Sequence, residues 1–188
     1  FGQASSFNGN LSNWNVSHVT NMTAMFKGAS SHRWQYAHSF NQNLSDWDVS
    51  NVTNMSSMFE DAVSFDGDIS MWDTSSVTHM DFMFQGATSF NGDISNWDTS
   101  NVNAMTAMFL KAKSFNGNLS NWDVSQVTNM ENMFMEAHSF KDGSISNWDV
   151  SRVTTMEGMF YNAKAFCGDL SNWNVSSVRN MISMFREA

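Results

Sequence analysis

The chain has 188 residues, and its 18 Asp and Glu against nine scattered Lys and Arg give a net charge of −9; this excludes a nucleic-acid footprint, which starts from clustered basic side chains that neutralise phosphates. No apolar run approaches the ~20 residues of a membrane-spanning helix. A single cysteine leaves no disulfide framework and no cysteine-built metal site, and the absence of proline, against a usual ~5%, fits backbone amides engaged along the whole chain.

Tryptophan sets the frame. Trp47, Trp72, Trp97 and Trp122 recur every 25 residues, and Trp14, Trp148 and Trp173 join them once two insertions are allowed. Seven copies account for nearly the whole chain. Phe1 and Ala4 stand ahead of Phe7 as Phe59 and Ala62 stand ahead of Phe65, so the chain opens inside a truncated further copy and closes at the equivalent Ala188. An array needs its terminal apolar faces covered, and no polar capping copy is present. The expectation is one array over 1–188, a segment of a longer one.

The first full copy is interrupted by eight extra residues near 30–39, containing His32, Arg33, Trp34, Tyr36 and His38, which must loop outward; Arg33, Trp34 and Tyr36 are its candidate contact residues. In the next copy, Leu44, Trp47 and Val49 have the spacing of a short strand entered through a bend, with Trp47 and Val49 pointing inward around Asp48. Val52, Met55, Met58, Phe59 and Ala62 then step by three and four, which predicts a helical face of about ten residues with Ser50 as its N-cap. Phe65 and Gly67 form the return turn, where glycine recurs and permits positive φ. Later copies repeat this order, and Lys141-Asp142-Gly143-Ser144 adds one residue as a bulge in a return turn.

One copy buries too little apolar surface to fold alone, so stability must come from stacking. Strands would sit ~4.8 Å apart and helices ~8–10 Å apart, which forces curvature. The expected fold is therefore an α/β, right-handed, leucine-rich-repeat-like solenoid of about seven coils, with short strands on its concave side and short helices on its convex side. The stretch from Asn43 to Phe59, with Trp-Asp-(Val/Thr)-Ser, Met-x-x-Met-Phe and a trailing Ala recurring in order, resembles the repeat of BspA-like leucine-rich-repeat surface proteins, the lipoprotein-associated surface repeat family. That resemblance implies a surface or extracellular solenoid used in adhesion and in protein or matrix binding, with no catalytic residues.

The most suggestive chemical feature is a column of carboxylates, Asp48, Asp73, Asp98, Asp123 and Asp149, with Asn15 and Asn174 in the same slot at the ends. Asn96, Asn121 and Asn147 flank it on the expected concave face. Like charges directly opposed destabilise, so the column is read as a structural ladder bonded to Ser hydroxyls and amides, or as a site for a cation, a polar polymer or a protein. Calcium is the one ion worth naming, because hard cations want clustered oxygens; in the return turns, Asp66 and Asp68 are replaced by Asn in other copies, which favours turn formation there. The paired methionines share the apolar face and read as core. Five scattered histidines repeat no metal-ligand spacing.

Catalysis needs a unique constellation, and the repetition supplies none, so the chain is read as non-enzymatic. The leading reading is an extended adhesion or binding scaffold for a protein, glycan or matrix ligand. The alternative is a structural spacer or self-associating building block of an extracellular fibre. A lesser one is an ice- or glycan-binding face built on Thr20, Thr53, Thr78, Thr128 and Thr154.

Overall fold

The structure, a computed structural model, describes residues 6–28, 39–141 and 143–188. Each copy folds as one coil made of successive tight turns. In the copy holding Trp47, the amide of Trp47 donates to Leu44 O at 3.0 Å, Val52 to Val49 O at 2.8 Å, Met58 to Met55 O at 3.1 Å, Glu60 to Ser57 O at 3.1 Å and Ala62 to Phe59 O at 3.0 Å. The amides between them reach the next coil: Met55 donates to His79 O (3.0 Å), Ser57 to Asp81 O (2.8 Å), Phe59 to Met83 O (2.9 Å) and Asp61 to Gln85 O (2.6 Å). From Met55 to Ala62 local and inter-coil bonds thus alternate, and every amide of that stretch has a partner.

This corrects the expected fold. Among the described residues there is no α-helix and no β-strand; the one regular element is a 3-10 helix, Gly143–Asn147, at the residue added to the sixth copy. The chain is therefore not an α/β, leucine-rich-repeat-like solenoid with strands on a concave wall and helices on a convex one. An α-helix would send the Phe59 amide to Met55 O, but it goes to the neighbouring coil. Ser57 (φ 59°) and Asp61 (φ 56°) lie in the left-handed region, as do Phe82, Ala107, Lys111, Asn132, Glu136, Asn162 and others in the same two columns. Such residues at the third position of a four-residue turn mark type II turns and end helical winding. The strand expected around Trp47–Val49 is not formed either, since turns close on both sides of it; the parallel pairing that does occur consists of single bridges such as Asn21↔Asn54 and Asn54↔His79, within the stretch expected to be helical.

Spacing is the physical cause. Phe26, Phe59, Phe84, Phe109, Phe134, Phe160 and Phe185 stack coil on coil with ring centroids 5.5–5.7 Å apart. The Phe40, Phe65, Phe90, Phe115 column advances by 5.9–6.0 Å, and the Trp72, Trp97, Trp122 column by 6.0–6.5 Å. Helices packed ~8–10 Å apart cannot share that step, and the near-equal advance of both sides removes the splay they would have forced.

The apolar columns are buried as their spacing implies. Met55, Met58, Phe59, Ala62 and Phe65 have no exposure and Trp47 only 3%. Each buried indole is also hydrogen-bonded across the stack: Trp47 Nε1 donates to Leu11 O (3.0 Å), Trp72 to Leu44 O (2.9 Å), Trp97 to Ile69 O (3.1 Å) and Trp122 to Ile94 O (3.0 Å). A leucine or isoleucine carbonyl therefore serves two donors, the tryptophan amide of its own coil and the indole of the next.

Two smaller expectations also change. Ser50 is no helix N-cap: its amide and hydroxyl donate to Asp48 Oδ1 at 3.1 and 2.6 Å. The return-turn glycines Gly67, Gly92 and Gly117 do not have positive φ; a Cβ on Gly67 would run into the Gln42 carbonyl of the preceding coil, and one on Gly92 would sit 3.0 Å from its own coil's Phe90 ring. They are small because neighbours come close. The contact residues expected in the insertion, Arg33, Trp34 and Tyr36, lie outside the described residues, while the coils on either side keep register, as Asn54 pairs with Asn21.

Trp97→Ala removes a 2%-exposed ring and its inter-coil hydrogen bond, so chemical denaturation should show a loss of about 3–5 kcal/mol; a loss under about 1 kcal/mol would mean the column is not shared packing. Ala87→Leu, at a fully buried site, should cost about 1–3 kcal/mol by overpacking, again read from the denaturation midpoint.

Candidate binding face

The carboxylate column lies on the outside of the stack. Asp48, Asp73, Asp98, Asp123 and Asp149 are exposed, as are Asn96, Asn121 and Asn147 two residues before three of them. The intervening Trp and the following Val or Thr are buried, which projects the Asp outward between them. With no sheet among the described residues there is no strand-lined concave wall, and the column is instead a row of turn corners.

Each carboxylate is held by its own turn. Asp98 Oδ1 accepts the Ser100 amide at 2.9 Å and its hydroxyl at 2.7 Å; Asp73, Asp123 and Asp149 accept the amides of Ser75, Ser125 and Ser151 at 2.8–3.0 Å. Asn15 does the same with Ser17, at 3.1 Å to the amide and 2.7 Å to the hydroxyl, and Asn174 accepts the Ser176 amide at 3.2 Å. An oxygen two bonds from Cβ is what the slot requires; its charge is a separate matter. The serine hydroxyl and then the serine amide hold Asp48, Asp98 and Asp149 below the usual carboxylate range. In the return turns Asp68, Asp93 and Asp169 are lowered by the same two groups with the amide first, from Ser70, Ser95 and Ser171.

A further polar ladder runs through the return turns, where the sequence alone points only to turn formation. Asn8 Oδ1 accepts the Asn41 amide, Asn41 that of Asp66, Asp66 that of Asn91, and Asn91 that of Asn116, all at 2.8–2.9 Å. These side chains tie successive coils together. The usable signal was that the column holds only Asn or Asp from Asn8 to Asn116, and never Ser or Thr. The threonines likewise work along the stack: Thr53 and Thr78 hydroxyls donate to Thr20 O and Thr53 O at 3.1 and 3.0 Å, and Thr154 donates to Thr128 O at 3.0 Å. Among the described residues, no three of His, Cys, Asp and Glu converge as a metal-ligand group.

Because the folded-state carboxylates titrate below their unfolded values, the stability they contribute is complete above the unfolded range, near pH 4, and is lost as pH falls through the folded values. Asn keeps the accepting oxygen and does not titrate. Replacing Asp48, Asp98 and Asp149 with Asn should therefore flatten the acid limb of a urea-midpoint profile between about pH 5 and pH 2, leave the midpoint near neutrality equal or higher, and leave melting insensitive to Ca²⁺. A Ca²⁺-dependent rise in the parent that the triple variant abolishes would make the column a cation site.

No curated protein and no solved structure matches the chain significantly. One family model does, described as a Mycoplasma protein of unknown function, DUF285, over residues 1–73, 31–121 and 90–188. These stretches overlap and together run from the first residue to the last, so the chain belongs to the DUF285 family of Mycoplasma proteins of unknown function.

Proposed function

We propose that the protein is a non-enzymatic scaffold of a cell surface or extracellular space, whose repeated outer face binds a periodic ligand such as a glycan polymer. One observation carries this reading: an outward Asp whose oxygen is fixed by its own turn follows every buried Trp from Trp47 to Trp148, and an exposed Asn or Asp precedes that Trp in each of these coils except one, where Met71 stands. A partner with an irregular surface has no use for identical positions, whereas a polymer meets one such grouping for each of its own repeats. Fixed side chains also lose little conformational freedom on binding, which favours affinity. The resemblance of the repeat text to BspA-like surface proteins points the same way for location and adhesion.

A second reading has its own support. One phenylalanine column and the ladder made by its backbone amides run without a break from Phe26 to Phe185, which suits a stiff spacer or fibre element whose outer face binds nothing.

Sedimentation with insoluble chitin and cellulose, and capture on immobilised matrix proteins, separates the two. The expected result is retention by a polysaccharide, and its loss when Asn96, Asp98, Asn121 and Asp123 are all changed to Lys, with the unfolding transition still cooperative. Retention that survives those replacements would sink the binding face, and absence of retention on every support would favour the spacer.

A further inference from the structure

The edge of the coil that carries the left-handed turns differs from the repeated face, because its residues change from coil to coil. Phe82 and Gln85 close one four-residue turn there, the Gln85 amide donating to Phe82 O at 3.1 Å, so their Cα atoms lie within about 7 Å. In the next three coils the same pair reads Ala107 and Leu110, Asn132 and Met135, and Gly158 and Tyr161, closed by the same bond at 2.9–3.1 Å. Each of these four coils thus places one large apolar side chain on this edge: Phe82 is 37% exposed, and Leu110, Met135 and Tyr161 are half-buried. Side chains here meet along the stack, as Lys27 pairs with Glu60 at 2.7 Å and Arg186 lies 5.8 Å over the Tyr161 ring. Phe82 is the exception in its column. It is a bulky residue on left-handed backbone (φ 59°), where the other coils hold Ala, Ser, Asn or Gly, so packing within the stack does not require the ring.

The strip is edged by negative charge. In these four coils the positions just before and just after it hold Asp81, Glu131, Glu157 and Glu136, against one cation, Lys111. None of the four carboxylates makes an ion pair among the described residues; Asp81 accepts the Thr106 amide at 2.9 Å, and Glu131 and Glu157 accept from Asn132 and Asn180 side chains at 3.4 and 2.7 Å. Apolar side chains beside carboxylates that no cation neutralises suit a partner that presents apolar and basic groups together. The step between coils gives the partner its shape. Phenylalanine rings advance by 5.5–5.7 Å per coil here, and an α-helix advances by about 5.4 Å per turn. A helix lying along the stack therefore meets one coil with each turn, and its residues at i, i+4, i+7 and i+11 meet the four apolar side chains.

We infer that this strip docks a cationic amphipathic helix of a protein partner, anchored on Phe82 and steered by Glu131 and Glu136. It shares no residue with the Asp column and is independent of what that column binds. A strip that differs in every coil suits a partner of irregular surface, for which the repeated face has no use.

The experiment measures fluorescence anisotropy of labelled helical peptides of about 14 residues titrated with the whole chain. One peptide carries leucine at i, i+4, i+7 and i+11 with lysine and alanine elsewhere; a second has the same composition scrambled to break the stripe, and a third has glutamate in place of lysine. The expected result is saturable binding of the striped lysine peptide, binding of the scrambled one about tenfold weaker or more, and none of the glutamate one. Phe82→Gly should weaken the striped peptide about tenfold or more, as loss of an aromatic anchor does, with the unfolding midpoint near the parent's because glycine takes the left-handed conformation without strain. Glu131→Gln with Glu136→Gln should weaken it about fivefold and lessen its salt dependence. Equal affinity for the striped and scrambled peptides would overturn the inference, since net charge alone would then explain binding. Affinity that Phe82→Gly leaves unchanged, or absence of binding by the striped lysine peptide, would overturn it too.

Discussion

The structure depends on the step between coils. Backbone amides of one coil donate to carbonyls of the next at 2.6–3.0 Å along the Met-Met-Phe stretch, and phenylalanine rings repeat that advance at 5.5–5.7 Å. Once the chain advances by so little per turn, no element wider than a single backbone fits in a coil. An α-helix, about 10 Å across with its side chains, is excluded by size whatever the residues prefer. The chain answers with tight turns, and each turn closes one local hydrogen bond and frees the next amide for the neighbour.

The same step explains the repetition of the sequence. At this spacing every side chain rests on its own counterpart, so a column must tolerate itself: Phe on Phe with nearly parallel rings, indole nitrogen over a leucine or isoleucine carbonyl, asparagine oxygen under the next coil's amide. A conflict in one column is met twice, above and below. Left-handed residues occur in columns for the same reason. Each is worth about 1–2 kcal/mol of strain in a non-glycine residue, and the inter-coil hydrogen bonds on either side, each contributing about 0.5–1.5 kcal/mol net, offset much of it.

A face made by such columns is uniform, and one oxygen of each of its carboxylates is already committed to a turn. Chemistry that needs unlike groups to converge is therefore confined to breaks in the repeat. The residue added beside Gly143 makes one, and there Lys141 and Cys167 replace the Asn or Asp of the regular column.

The sequence by itself determined the copy length, the frame, and the inward set of Trp, Val, Met, Phe and Ala, because burial leaves a periodic apolar trace that survives whatever backbone carries it. Asp98 between buried Trp97 and Thr99 was legible as an outward position on the same grounds. The sequence did not determine the path of the backbone. Met55, Met58, Phe59 and Ala62 step by three and four in an α-helix and equally in consecutive four-residue turns, since both return a side chain to the same side after three or four residues. What separates them is where the Phe59 amide donates, and only the neighbouring coil decided that. The left-handed column was hidden for the same reason: Ser57, Phe82, Ala107 and Asn132 share no residue type, so the conformation they share is imposed by the stack and leaves no mark in their identities.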